Sequence, residues 1–453
     1  MLIDTFGTAH TTEAPEAVAA LEKAVSAVAA HRPIGNALQL AFEQDEGLVA
    51  AHALTGFANV TLGRGDTLDH AKTLLPAAEA ALANRDGGTA SERALVEALS
   101  LAVQGHLQAA AARLDEHLLH NPHDFLCLKI SHSLRFMSGQ AGAMLALTRS
   151  VLPEWTSSER AYGFVLGCHA FGLEESGLLA DAEAVGRDAY RREPADAWGL
   201  HAVSHVMEME HRTGEGIDWL NASRPDWGLC NNFSFHLSWH LALFLLEQGR
   251  IDEVLDLYDR EIRPTPTDDF RDVANASSIL WRLEREGVSV GARWSDLHEI
   301  AVRRSRDAAY VFASLHYLLA LVASGDYANA EVLLLELRSI SADPNSDQAQ
   351  VAGNVGVPLA EIIIAMSQGR VPASDLVRAA VALPSIGGSH AQRDVFLRTL
   401  IETAANAGDL RLFSALSRIR HNLRSGDRFI VALEKRLGQP SLPRGLARQP
   451  LAS

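Results

Sequence analysis

Apolar residues recur three and four positions apart along most of the chain. The segments DEVLDLYDREI (252–262) and NAEVLLLELRSI (329–340) show this spacing, which places the apolar side chains on one face of an α-helix. Alternating runs of β-branched residues, which indicate strands, are few, whereas Ala, Leu and Glu dominate. The pattern therefore predicts an all-α protein.

Glycines separate the predicted helices at a nearly constant interval. Successive turn glycines lie 40, 34, 38, 37, 35, 38, 38, 44 and 39 residues apart. Periods of this size are typical of stacked helical hairpins, in which a glycine supplies the left-handed turn between two helices. The glycines are Gly65, Gly105, Gly139, Gly177, Gly214, Gly249, Gly287, Gly325, Gly369 and Gly408.

Two prolines support this repeat. Pro122 in HNPHDFL and Pro194 in REPADAW each precede a predicted first helix and lie 72 residues, or two periods, apart. Proline suits a helix start and cannot continue the preceding helix. The closest repeat type is the tetratricopeptide, so we expect a right-handed α-solenoid of about eight to ten hairpins. We place the solenoid at 21–436, after an N-terminal arm at 1–20 and before an extended or disordered tail at 437–453.

Composition excludes several classes of partner. The chain of 453 residues is 47% hydrophobic and 21% charged, with a net charge of −16. Because nucleic acids and anionic membranes attract basic surfaces, neither is an expected partner. The three cysteines are far apart, and neither a secretion signal nor a long apolar run is evident, so we expect a cytoplasmic protein without disulfides.

Histidines occupy matching positions in several repeats. Counted back from the turn glycines, three histidines lie nine residues before theirs and three lie thirteen residues before. In tetratricopeptide-type solenoids the first helices line the concave groove, so matching positions would converge there. Two neighbouring helices carry His-x3-His pairs, which lie on one helix face. The histidines at nine residues are His205, His240 and His316, and those at thirteen are His201, His236 and His52.

The two pairs are candidate metal ligands. His201 with His205 and His236 with His240 could together hold one divalent ion, for which Zn and Fe are the candidates. The metalloprotease pattern is absent, because it requires Glu directly after the first His. Without a metal, the same histidines and Glu208 are candidate general acids and bases. A single histidine on a first helix is more often a half-buried core residue, whereas the matched set favours a site.

Other motifs are less specific. Four tryptophans, Trp198, Trp219, Trp227 and Trp239, are candidate walls of an apolar pocket, although packing within hairpins explains at least two of them equally well. GGSHAQRDVF (387–396) leads two glycines into a helix start with Gln392, Arg393 and Asp394. Such a helix start is either an anion site or a capped helix with an internal Arg/Asp pair.

These residues resemble the family of tetratricopeptide repeat protein 38. The matching stretches run from about residue 45 to 435 and include AHALTG, LKISH, DAW, HAVSHVMEME, FHLSWHLAL, GVSVGARW, LHYLLA and GGSHAQRDVF. The resemblance implies an all-helical repeat fold and no particular reaction. It places Lys129, His52, His132, His201, His205, Glu208, His236, His240, His316, Gln392, Arg393 and Asp394 on positions that look like the family's own. The chain departs from the family pattern at Phe235, Leu237, Ser238, Leu241 and His390.

Two functions follow as hypotheses. The first is a His/Glu-lined pocket in the concave groove that binds a metal ion or a small molecule, with acid/base or metal-assisted catalysis. The second is a scaffold that binds a peptide or protein without catalysis, which Asn231, Asn232 and Lys129 support. Self-association through the end repeats, giving a homo-oligomer, is a third alternative.

Overall fold

Helices account for most of the computed structural model, which describes residues 1–343, 345–372, 374–426 and 428–438. The strands in these ranges are β1 (Leu2–Ile3) and β2 (Ala9–His10), which pair antiparallel. The prediction of an all-α protein is therefore confirmed. The predicted tail from residue 439 onward lies outside the described residues.

The helices follow one another with short connections. The first part of the chain contains α1 (Pro15–Ala29), α2 (Gly35–Gln44), α3 (Val49–Val60), α4 (Gly65–Ala83), α5 (Ala90–Val103), α6 (Leu107–Leu118), α7 (Phe125–Met137), α8 (Ala141–Val151), α9 (Tyr162–Glu175), α10 (Leu179–Arg192), α11 (Ala197–Met209), α12 (Thr213–Ala222) and α13 (Arg224–Trp227). The predicted boundary at residue 20 falls inside α1.

The second part continues in the same way. It contains α14 (Phe233–Glu247), α15 (Ile251–Leu257), α16 (Phe270–Arg285), α17 (Ser295–Arg303), α18 (Val311–Ala323), α19 (Tyr327–Ser341), α20 (Asp347–Val351), α21 (Val357–Ser367), α22 (Leu376–Ala382), α23 (His390–Asn406), α24 (Leu410–Leu423) and α25 (Arg428–Arg436). Short 3₁₀ turns cover Leu152–Glu154, Gly291–Trp294 and Leu383–Ile386, and π turns cover Tyr258–Ile262 and Ala352–Gly356.

Neighbouring helices pack consecutively, as in the pairs α3/α4, α5/α6 and α9/α10. Each hairpin buries an apolar stripe against its own partner helix and against the next hairpin, so one continuous core extends along the chain. This arrangement is a helical repeat-like fold. The tetratricopeptide type and the right-handed sense of the array stay predictions.

Eight of the ten predicted turn glycines adopt a left-handed backbone, for example Gly105 with φ 88° and Gly249 with φ 72°. Two predictions were wrong. Gly65 begins α4, and the left-handed residue of that turn is Gly63. Gly214 lies inside α12, and His211 takes the left-handed position with φ 59°. A left-handed non-glycine residue is uncommon, which is why a search for glycines missed this turn.

Turns of the early hairpins also contact residues 200 to 242 positions later in the chain. The later helices therefore lie against the turns of the earlier ones, and the array encloses an interior space. Hydrogen bonds at these contacts join Asn231 N to His31 O (2.7 Å), Gly65 N to Asp307 Oδ1 (3.1 Å), Asp347 N to Gly105 O (3.2 Å) and Ser425 N to Met209 O (2.7 Å).

One helical stretch in the described part of the chain, Asp347–Ser367, is long and apolar enough to cross a membrane. This stretch contradicts the expectation that the chain has no long apolar run. Its most apolar window is 67% buried within the protein. Burial against neighbouring helices accounts for this apolar character in the way that it does for any core helix.

Candidate metal centre

Four histidines from two helices converge on one point. His201 and His205 lie one turn apart on α11, and His236 and His240 lie one turn apart on α14. We call this group the four-histidine centre. Its Nε2 atoms are separated by 2.8 Å (201–205), 2.9 Å (201–240), 3.0 Å (201–236), 3.2 Å (205–240) and 3.2 Å (236–240).

Hydrogen bonds among the rings cannot account for these contacts. A neutral imidazole nitrogen carries either one proton or one lone pair, so it takes part in one hydrogen bond. Four Nε2 atoms can therefore form at most two such bonds, yet five short distances occur. The remaining contacts bring like groups together, unless a cation lies between them and accepts the lone pairs.

The outer ring nitrogens indicate where the protons are. His236 Nδ1 lies 2.9 Å from Asn275 Oδ1, and His240 Nδ1 lies 3.3 Å from Glu208 Oε2. Each Nδ1 thus faces an acceptor and carries the proton, which leaves the lone pair on Nε2. Acceptors of this kind hold the rings of metal-binding histidines in position. The lone pairs consequently point at one another.

Glu174 completes this outer layer at His205. Its Oε2 atom lies 3.3 Å from His205 Nδ1, and its side chain is fully buried. Apart from this contact, neither carboxylate oxygen has a hydrogen-bond partner within the described ranges. Buried carboxylates normally have a cationic partner, because an isolated buried charge is costly. A divalent ion bound by the imidazoles would supply that positive charge.

The distances are close to those of a tetrahedral site. Metal–nitrogen bonds of about 2.0–2.1 Å give nitrogen–nitrogen edges of about 3.3 Å in a tetrahedron. The five short edges fall just below this value, and the four ligand atoms all lie within 4.8 Å of one another. Imidazole is a ligand for Zn, Fe, Ni and Cu. The centre could therefore hold one ion.

Burial shapes the acidity of the four rings. It lowers the pKa of His236 to about 4, and it lowers the pKa of His201 and His240 well below the usual value, together with their neighbouring histidines. Burial would also lower the pKa of His205, but Glu174, Glu175 and Glu208 outweigh it and raise that pKa. Three of the four rings are thus held in the neutral form that a metal requires.

A cavity of about 410 Å³ adjoins the centre. His201 and His236 line it, and so do side chains from α3, α7, α11 and α18. We call it the aromatic cavity, because its walls include Phe57, Phe136, Trp198, Phe233, Phe270 and Phe312. Its volume is within the range of small-molecule sites. Two of the four histidines are therefore placed to meet a bound molecule.

Of the other predicted site residues, Glu208, Lys129, His132 and Gln392 lie close to this region. Glu208 bonds His240, and the other three line the aromatic cavity. Gln392 also caps its own helix, since its side chain accepts from Ser389 N.

Two of the histidines at matching repeat positions lie away from the four-histidine centre. His52 packs against Phe42 and bonds the Glu46 carbonyl. His316 is buried between Phe312 and Phe396 and bonds the Phe312 carbonyl. Of the six histidines at matching positions, the four in the two His-x3-His pairs therefore come together, and His52 and His316 do not.

The α23 residues and Trp239 make internal contacts. Arg393 donates to Glu175 Oε2 at 2.8 Å, and Asp394 accepts from Arg420 at 2.6 Å. This matches the capped helix with internal ion pairs rather than an anion site. Trp239 donates to Ser278 Oγ and stacks on His236. The indoles of Trp219 and Trp227 likewise donate to carbonyls within their own hairpins, and only Trp198 of the four lines the cavity.

The matching positions inferred from Gly214 need correction. With His211 as the turn residue, His205 lies six residues before its turn, whereas His240 lies nine before Gly249. The two helices are thus offset by three residues. Three residues are nearly one helical turn, so the pairs still face each other. They converge because of this offset packing and not because of an identical register.

Sequence reasoning missed Glu174, Asn275 and His31, the last of which lines the aromatic cavity and stacks on Trp198. Glu174 and Glu208 each lie three residues before a left-handed turn residue, Gly177 and His211. This shared position is a signal that the correct turns would have revealed. Asn275 and His31 come from distant segments and had no such signal.

No family model matches the sequence.

Proposed function

We propose that this protein binds one divalent transition metal, Zn or Fe, at the four-histidine centre and acts on a small organic molecule held in the aromatic cavity. The convergence of four buried Nε2 lone pairs, with acceptors at Nδ1 of three rings, carries the proposal. A peptide-binding scaffold would not require this arrangement. Membership of the tetratricopeptide repeat protein 38 family and a cytoplasmic location are proposed with it.

The position of the cavity favours a reactive metal over a purely structural one. Structural zinc sites are four-coordinate and closed, whereas catalytic metals keep a position for substrate. His201 and His236 form part of the cavity wall, so a ligand reaches the centre from that side. An ion that accepts a fifth ligand would act as a Lewis acid towards it.

The chain's own groups can move protons at the centre. Glu208 accepts from His240 Nδ1 and also lies 3.3 Å from Arg424 Nη1. Burial raises the pKa of Glu208, which brings a carboxyl closer to the range where general acids and bases work. Glu208 therefore either orients His240 or exchanges a proton through it.

Metal analysis of purified protein tests the proposal. The wild type should contain close to one equivalent of metal after reconstitution with Zn(II) or Fe(II), and His201→Gln/His240→Gln should contain none. His316→Gln is the matched control, because His316 is equally buried but lies outside the centre. A metal-free wild type after reconstitution, or an equal loss in the control, would overturn the proposal.

X-ray absorption then separates the two kinds of site. A fifth, exchangeable ligand that a small anion displaces supports a reactive metal. Four nitrogens that no added ligand perturbs indicate a structural zinc that only holds α11 against α14.

A further inference from the structure

The wall of the aromatic cavity also carries a buried cation. Lys129 on α7 is only 4% exposed. Its Nζ contacts neutral groups, since it lies 4.0 Å from Cys168 Sγ and 5.4 Å from the centre of the Trp198 ring. Burial raises the pKa of Cys168 to about 11, so that group remains a thiol.

No carboxylate among the described residues lies within ion-pair distance, 4.0 Å, of Lys129 Nζ. Asp196 interacts electrostatically with Lys129, and its side chain caps α11 by accepting from Gly199 N. Burial raises the pKa of Asp196 to about 7, so this carboxyl is partly protonated at neutral pH. Lys129 therefore has no direct ion pair among the described residues, and Asp196 offsets its charge only in part at neutral pH.

His132, one helical turn along α7, adds a donor beside this cation. Its Nε2 accepts from Trp198 Nε1 at 3.0 Å. A neutral imidazole that accepts at Nε2 carries its proton on Nδ1, and burial keeps the ring neutral by lowering its pKa to about 3. That Nδ1–H is buried and makes no hydrogen bond within the described part of the chain. Buried donors are rarely left unpaired without a functional reason.

Both residues line the aromatic cavity. Trp198 is close to both groups, since its ring is 5.4 Å from Lys129 Nζ and 5.2 Å from the His201 ring. His31 and Phe233 stack along the same stretch, with ring centres 4.2 Å apart. The faces of these aromatic walls suit an apolar, planar body in the cavity.

We propose that the aromatic cavity binds an organic carboxylate with an aromatic body, whose carboxylate pairs with Lys129 and accepts from His132 Nδ1–H. The opposite end of the molecule then faces His201 and His236. The inference rests on the proposed function for the reaction at that end, but the carboxylate seat itself requires no metal.

Calorimetric titration with 2-naphthylacetate and its neutral amide tests whether Lys129 and His132 bind a carboxylate. The wild type should bind the acid at least tenfold more tightly than the amide, because only the acid neutralises Lys129. Lys129→Met should remove this preference. Lys23→Met is the control, since Lys23 is exposed, and it should bind like the wild type. Equal binding of acid and amide by the wild type overturns the proposal. So does a failure of the acid to bind at concentrations up to about 1 mM, the Kd of a weak ligand.

A second readout guards against a misfolded variant. Because Met has a similar shape and carries no charge, Lys129→Met should raise the thermal midpoint relative to the wild type, whereas a lower midpoint would show that Lys129 has a protein partner and would contradict the seat. His240→Gln separates the two proposals. Acid binding that survives in this variant supports the carboxylate site whatever the metal content, whereas a reconstituted wild type without metal overturns the metal proposal alone.

Discussion

Two buried polar groups lie side by side in this protein, and they differ in whether their charges are matched. The first is the four-histidine centre. The second, which we call the arginine network, joins Asp394 on α23 to Arg282, Arg420 and Arg424 at 3.6, 2.6 and 3.8 Å. Glu208 touches both, because it bonds His240 and Arg424.

The arginine network places a carboxylate among cations. Burial alone would raise the pKa of Asp394, but Arg420, Arg424 and Arg282 lower it far below its usual value. In the four-histidine centre, by contrast, lone pairs face lone pairs. The comparison teaches that burial of polar groups does not by itself indicate a binding site. A buried set of lone pairs without a cation, as in the four-histidine centre, does indicate one. Four predictions follow from it.

Metal removal should have the largest effect. Without a cation the Nε2 lone pairs repel, so treatment with a chelator should lower the free energy of unfolding by up to about 10 kcal/mol, the scale of structural zinc sites. Denaturant unfolding with and without EDTA measures this. The chelator should cause the same drop in Asp394→Asn, because the arginine network needs no metal. An unfolding midpoint that EDTA leaves unchanged would contradict the comparison.

Asp394→Asn should have the next largest effect. Removing one partner of a buried ion pair leaves uncompensated charge and costs about 3–5 kcal/mol. The folded-state pKa of Asp394 is depressed, so its contribution is present above the unfolded pKa of about 3.9 and declines as the pH falls below it. Unfolding between pH 3 and 7 should show this decline in the wild type and a shallower one in the variant. Parallel profiles would argue against the network.

Glu174→Gln should weaken metal binding without unfolding the protein. Partners of metal ligands typically contribute ten- to a hundredfold in affinity, about 1.4–2.7 kcal/mol. Competition with a chromophoric chelator measures the change. Glu116→Gln on an exposed surface should bind metal like the wild type. If the two variants behave alike, Glu174 is not part of the site.

Asp196→Asn should change stability in the opposite direction, as a gain, and should show the opposite pH trend to Asp394. The folded pKa of Asp196, about 7, is above its usual value, so the wild type loses stability as the pH rises from about 4 to 7. Asn still caps a helix and removes this loss. The variant should therefore be about 4 kcal/mol more stable than the wild type at pH 8, since the pKa rises from about 4 to about 7 and each pKa unit corresponds to 1.4 kcal/mol, and nearly equal at pH 4.

Helix content and most turns were predictable, because both depend on local spacing. Apolar residues at helical intervals require one buried face, and glycine relieves the strain of a left-handed turn. The turn at His211 escaped prediction because its left-handed residue is not a glycine. The long-range contact between Asn231 and His31 was also unpredictable, because no repeat spacing indicates it.

The site divides in the same way. The sequence alone determined that His201 with His205 and His236 with His240 form two pairs, since a spacing of four residues places both rings on one helix face. Only the tertiary structure decided that the pairs meet and that His52 and His316 do not join them. It also decided that Glu174 and Asn275 lie beside the histidine rings and that Lys129 lines the adjoining cavity. Convergence depends on how neighbouring hairpins are offset and how the array encloses its interior, and these follow from packing over the whole chain.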